Sequence, residues 1–226
     1  PPTRPPRRSS LVFPPNSGRG GGGAPRPSTP AGGGRPPPPT GPDTVHLIGT
    51  AATPLGGDEL DITVVVAPGA RLVVRSVAAT IALPSAATPM SLAHWRFEVG
   101  RGGELDFDPE PTIVAGGAQH HTVSTVRLAA DARLRLRERV QIGRSGEAHG
   151  GWRGDLIADI GKTPLLRHRL ELGLGAAADD ALDAPRALES ELRYPDERPE
   201  ETVGLTDSRL PLAAGGSLRT RTSGAL

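Results

Sequence analysis

The chain has 226 residues, with 26 basic against 25 acidic side chains, 30 glycines, 25 prolines, only six aromatic residues and no cysteine. That length suits one domain or at most two, and the missing thiols exclude disulfides, zinc knuckles and thiolate nucleophiles and fit a reducing compartment. No apolar run approaches the roughly 18 residues that span a bilayer, and no charged-then-apolar leader opens the chain, so the expectation is a soluble cytoplasmic protein without a membrane partner.

Residues 1–43 hold 14 of the prolines, nine glycines and six arginines (Arg4, Arg7, Arg8, Arg19, Arg26, Arg35) against the single acid Asp43. So few apolar groups cannot offset the entropy of ordering the chain, and the segment reads as a disordered tail with polyproline-II character. The motif "GRGGGG" lacks the Gly-Lys-Ser/Thr ending of a phosphate loop. Once the tail is set aside, residues 44–226 carry 20 basic and 24 acidic groups. A mildly acidic body does not mark a nucleic-acid partner, whatever the overall isoelectric point.

From Val45 the texture changes to short apolar alternations broken by turn signals. The segments "ITVVVAPGARLVV", "WRFEVGRGGELDF" and "TVRLAADARLRLR" each read as strand, tight turn and second strand. Leu72, Leu105 and Leu134 recur in them at spacings of 33 and 29 residues. A fourth hairpin, "DLIADIGKTPLLRHRLELG", turns at Gly161–Pro164. Such repetition predicts an all-β body in residues 44–226, mainly strand with one or two short helices, arranged as a solenoid-like or layered stack of hairpins. A closed barrel is the other architecture the pattern allows. The helices are expected in "AADDALDAPRALESELRY", broken at Pro185, and "SRLPLAAGGSLRTRTS" reads as a last strand–turn–strand element.

Alternation in the third hairpin sends Arg133, Arg135, Arg137 and Arg139 to a solvated face. Leu134, Leu136, Glu138 and Val140 point the other way. Glu138 thus stands among apolar neighbours, where an unpaired carboxylate is costly, and it needs a partner or a shifted pKa. His168 shares a face with Leu166, Leu170 and Leu172 and reads as a core histidine. His120 and His121 are adjacent and so face opposite ways in a strand, which is poor geometry for holding one metal ion. Glu104, Asp106 and Asp108 line one strand face, either a cation path or a solvated surface. "TPLGGDELD" sets Gly56 and Gly57 before Asp58, which reads as a turn with an exposed acid. In "IGRSGE", Gly143 and Gly146 shape a turn that carries Arg144 and Glu147. No serine elbow and no HExxH are present, so the chemistry alone identifies no enzyme.

Four stretches together resemble the UreD (UreH) family of urease accessory proteins. They are "HLIGTAATPLGGDELDITVVVAPGARLVVRSVAATIAL", "GGELDFDPEPTIVAGGA", "LAADARLRLRERVQIGRSGE" and "RLPLAAGGSLRT", in the family's order. The resemblance implies a β-rich, solenoid-like scaffold without catalysis or a stably bound cofactor. Its implied partners are the urease apoprotein, a helical UreF-type protein and, through that protein, a UreG-type GTPase. It also implies a route through the body for transient Ni2+. Carried over block by block, the candidate nickel-path or partner-surface residues are Asp58, Asp106, Glu138, Arg144 and Glu147. Within that set Asp58 and Glu147 are expected to handle the ion or to organise the UreF-facing surface. Oxygen ligands suit passage of such an ion, whereas storage would favour histidine or thiolate clusters. Two departures stand out: Pro109-Glu110-Pro111 replaces the family's Pro-Asp-Pro, and the tail occupies the place of the family's first strands, so one edge is expected to be missing or built differently. The alternative is a carbohydrate-binding or polysaccharide-acting β-repeat protein, for which Trp95, Trp152 and Tyr194 are the available stacking platforms.

Overall fold

In the computed structural model the described residues are 7–13, 41–49, 54–147, 149–173, 175–176 and 183–226. Among them there are sixteen strands and no helix. The segments that read as hairpins are in fact arches. Strand β3 (Glu59–Val66) runs into β4 (Arg71–Ser76), yet the two lie in different sheets. The same holds for β6 (Met90–Val99) and β7 (Glu104–Phe107), and for β9 (Gln119–Leu128) and β10 (Arg133–Ile142). Each strand–arch–strand unit is one coil, and successive coils stack in parallel, β3 on β6 on β9 in one sheet and β4 on β7 on β10 in the other. Period-two alternation is identical in a hairpin and an arch. The difference is whether the two strands bond side by side or face each other across a core.

Stacking is in register. Leu72 lies level with Leu105, and Leu105 with Leu134, so the leucines spaced 33 and 29 residues apart form one buried ladder. Facing it in the first sheet are the ladders Val66–Val99–Leu128 and Val64–Phe97–Val126–Ala158. Arches stack by backbone as well: the Gly69 amide donates to the Arg101 carbonyl at 2.9 Å and Gly100 to Val66 at 2.9 Å. At Gly100 a Cβ would stand 2.8 Å from the Pro68 nitrogen in the arch below, closer than packing permits. Gly102, with φ of +61°, completes that turn.

The first two coils break a second time. Strand β5 (Thr80–Ala82) follows β4, and β8 (Thr112–Val114) follows β7. Both stack below the far end of β10, which spans the same distance unbroken. The breaks at 77–79 and 108–111 leave a seam in the second sheet. After β10 the chain changes style. Strand β11 (Gly151–Ile160) is the fourth parallel rung of the first sheet, and β12 (Thr163–Gly173) returns antiparallel beside it. That pair is a true hairpin turning at Gly161–Lys162, with a register shift at Ala158/Asp159 opposite Pro164. β13 (Ala187–Tyr194), β14 (Glu201–Val203), β15 (Asp207–Pro211) and β16 (Ser217–Ser223) extend the second sheet antiparallel, in the order β10-β13-β16-β15-β14.

Two expectations are corrected. Ala187–Tyr194 is strand rather than helix, because its alternation places Leu188, Ser190 and Leu192 on the core face beside β10. In the rest of that helical expectation, 183–186 form no helix and 177–182 lie outside the described residues. Within the supposed tail, β1 (Arg7–Phe13) pairs parallel with β3, and at its boundary with the body β2 (Asp43–Leu47) pairs parallel with β4. Of the two alternatives expected for that edge, missing or built differently, it is not missing: one strand on each sheet builds it. Residues 1–6 and 14–40 lie outside the described residues.

Candidate functional site

Between the sheets the ladders are apolar near the arches and polar farther along. On β9 the inward residues are His120, Thr122 and Ser124, then Val126 and Leu128. Opposite, on β10, Glu138 faces inward between Leu136 and Val140, level with Ser190 of β13. These groups line a cavity of about 800 Å3 that opens at the seam. Its walls include Leu60, Ile62, Trp95, Phe97 and Phe107, and its mouth includes Ile48, Val77 and Ile81. Trp95, Phe97 and Phe107 hold one another, with Phe107 edge-on to both other rings at centroid distances of 5.2 and 4.9 Å.

The Thr122 hydroxyl is the hinge of this interior. It accepts the Trp152 indole N–H at 3.2 Å and hydrogen-bonds Glu138. Room for the indole exists because it lies over Gly154, where any side chain would collide with the ring. Burial raises the Glu138 pKa to about 7, against the smaller opposing effect of the Thr122 bond. His120 pairs its Nδ1 with the Ser91 hydroxyl at 2.9 Å. Its burial, helped by the neighbouring His121, lowers its pKa to about 4, so it is neutral at pH 7. His121 faces outward to Asp155 at 2.8 Å, as alternation requires. His168 sits level with Leu156 as a half-buried residue, and desolvation lowers its pKa too.

Of the five sequence candidates, Glu138 lines the cavity wall and Arg144 its rim. Asp58 is buried, which corrects the exposed-acid expectation. Its carboxylate accepts the Leu55 amide at 3.0 Å inside the turn, while the Gly56 and Gly57 amides bond Leu83 and Met90. Asp106 lies on the outer face of the second sheet, bonded to Arg75 at 2.9 Å and Arg135 at 3.1 Å. Glu147 closes a clasp between two turns: one carboxylate oxygen accepts the amides of Gly116 (2.8 Å) and Arg144 (3.1 Å), and the other binds the Arg144 guanidinium. The Arg144 side chain, with the Gly116 and Arg144 amides, holds the Glu147 pKa down to about 2. Arg186 reaches over the same turn to the carbonyls of Ile142 and Glu147. Gly143, with φ of +77°, has no room there for a side chain.

The outer arginine face is not simply solvated. Arg133 and Arg135 stack on Glu104 and Asp106 of the coil below, and Arg137 and Arg139 reach Asp108. Arg137 also pairs with Glu189, and Arg135 with Glu191. Burial alone would raise the Asp108 pKa, but three neighbouring guanidiniums outweigh it and lower it. The acid row and the arginine row thus neutralise each other. As for sugar stacking, Trp152 is buried beneath the cavity, Trp95 is stacked against Phe97, and the Tyr194 hydroxyl bonds the Ala130 carbonyl. None is exposed on the outer surface as a sugar-stacking platform would be.

Sequence reasoning finds Glu138 but misses Thr122, Ser124, Ser91 and Ser190. The signal is present in "QHHTVSTVRL", whose inward positions are polar for three steps before turning apolar. Among the described residues no three His, Asp or Glu side chains converge in a way that could hold a metal ion, and no helix is long and apolar enough to cross a membrane.

The family profile of the UreD urease accessory protein matches residues 26–191, well over half of the chain. The urease accessory protein UreD of Frankia alni is 42% identical over 198 residues, covering 77% of this chain and 66% of the relative. UreD 1 of Saccharopolyspora erythraea is 41% identical over 183 residues, covering 80% and 72%. UreD of a Parafrankia species is 48% identical over 120 residues, covering 53% and 40%. Relative to the Frankia and Parafrankia proteins the chain thus spans less than two thirds of the relative's length. On the strength of the profile and these relatives, the chain belongs to the UreD family of urease accessory proteins.

Proposed function

We propose that this chain is a maturation scaffold for urease: it binds the urease apoprotein and a UreF-type helical partner, through which a UreG-type GTPase joins, and it catalyses nothing itself. Membership of the accessory family over residues 26–191 carries the reading. Within the scaffold, the polar interior around Glu138 is the part suited to contact Ni2+ in transit. It offers one carboxylate, the hydroxyls of Thr122, Ser124 and Ser190, and a neutral imidazole at His120. Such a donor set is mostly oxygen and too sparse to retain a transition metal, which favours passage over storage. Asp58, Asp106 and the Arg144–Glu147 clasp contribute by holding the turns and faces that partners touch.

Co-expression with a UreF-type protein, a UreG-type protein and apo-urease, followed by size-exclusion chromatography, tests the scaffold. The chain is expected to co-elute with the UreF-type protein and apo-urease. A folded chain that elutes alone, while the Frankia alni relative co-elutes under the same conditions, overturns it.

A further inference from the structure

The seam cavity is much larger than an ion needs. At about 800 Å3 it falls in the size range of clefts that bury drug-sized ligands. Its polarity is also graded. The mouth presents exposed apolar groups, Ile48 at 68%, Val77 at 63% and Ile81 at 40% of full accessibility, with the exposed Glu110 carboxylate on its rim. The walls nearer the mouth are aliphatic and aromatic, and the interior holds the Glu138 carboxylate among the hydroxyls of Thr122, Ser124 and Ser190. The nearby arginines are already committed: Arg137 to Glu189 and Asp108, Arg139 to Asp108 and the Pro109 carbonyl, and Arg144 to Glu147. His120 holds the Ser91 hydroxyl and is neutral. Glu138 is left with a neutral hydroxyl as its hydrogen-bond partner. A half-buried carboxylate so placed is complementary to a cation brought from outside on an apolar stem.

We propose that the seam cavity receives a short apolar segment of a protein partner, which inserts one lysine or arginine so that its cationic head pairs with Glu138 while its stem packs against Trp95 and Phe107. This rests on the partner-binding part of the function proposed above. A seated cation and a passing nickel ion compete for the same carboxylate, so occupancy of the cavity gates the route. Specificity follows from the two halves of the site. An apolar segment without the cation leaves Glu138 desolvated and unpaired, and a hydrophilic cation leaves the mouth exposed.

The test uses the full chain with defined probes: n-hexylguanidinium, n-hexanol, NiCl2, and the peptide acetyl-Leu-Ala-Val-Lys-Leu-Ala-amide with its norleucine-for-lysine analogue. Binding is read by calorimetry and by the carboxyl 13C signal of Glu138, assigned from its loss in Glu138→Gln. Hexylguanidinium is expected to saturate and to lower the apparent Glu138 pKa by about one unit. The lysine peptide is expected to bind at least about tenfold more tightly than its analogue, a preference lost in Glu138→Gln. Ser124→Leu, which narrows the cavity and keeps the carboxylate, weakens both cationic probes and serves if Glu138→Gln does not fold. Hexanol binding as tightly as hexylguanidinium overturns the proposal, as does a Glu138 signal that responds to NiCl2 alone. Binding of hexylguanidinium without the peptide overturns it in favour of a free small-molecule cation. Because these probes need no urease component, their failure beside intact co-elution leaves the scaffold standing, and their success without co-elution leaves the cavity site standing.

Discussion

Glu138 and His120 share one cavity and push stability in opposite directions with pH. In the folded chain Glu138 keeps its proton up to about pH 7, whereas an unfolded glutamate releases it near 4.5. Between those values the native state binds more protons, so stability is greatest below 4.5 and falls as pH rises through 7. His120 has a folded pKa of about 4 against 6.5 unfolded. Its contribution is fully present above 6.5 and is lost as pH falls toward 4. Over the shared window the two slopes oppose each other. Glu138→Gln removes one of them and keeps the Thr122 hydrogen bond available. The variant is expected to exceed the parent by roughly 2 kcal/mol at pH 8, to show little gain at pH 4.5, and to lose stability on acidification where the parent stays flat. Urea titrations at those two pH values check this. An equal change at both would mean that Glu138 is not the group that titrates.

At the scale of the element, the arch is the unit that decides the fold. Gly100 sits where one arch passes over Pro68 of the arch below, and a Cβ there would stand only 2.8 Å from the proline nitrogen and 2.9 Å from its ring. Backbone and ring cannot swing aside as a side-chain tip can. Gly100→Ala is therefore expected to cost about 1–3 kcal/mol, seen as a lower urea midpoint at unchanged m-value. Gly102→Ala, which meets no atom but must hold φ near +61°, provides the comparison for strain alone. If the two variants are equal, the stacking contact is not what matters. Sequence pattern reveals these arches as turns, and the spacing of Leu72, Leu105 and Leu134 reveals their repeat, because inward alternation and turn chemistry are local. Which strands pair is not local and stays hidden. So does the fate of Glu104, Asp106 and Asp108: only when β7 lies against β10 do these acids become partners of Arg133, Arg135, Arg137 and Arg139. The β13 strand reads as helix for the same reason. Its local composition suits a helix, and pairing with β10 overrides it.

On the scale of the whole molecule, a stack of coils behaves nearly one-dimensionally, since each coil bonds only to the coils above and below it. Inner coils are held on both sides, whereas end strands are held on one. The first sheet runs β1-β3-β6-β9-β11-β12, so β1 closes one end by covering the edge of β3. Without that strand, β3 would present a row of unpaired backbone groups beside the apolar ladder of Val64 and Val66. Deleting residues 1–13 is expected to speed hydrogen exchange at β3 amides that pair with β1, to leave β9 and β10 protected, and to promote self-association through the bared edge. Native-state exchange read by NMR, together with sedimentation, separates local fraying from global loss. A uniform rise in exchange across all coils would show that the stack unfolds as one cooperative unit and that β1 acts on total stability. Unchanged exchange at β3 would show that the strand does not close this edge in solution.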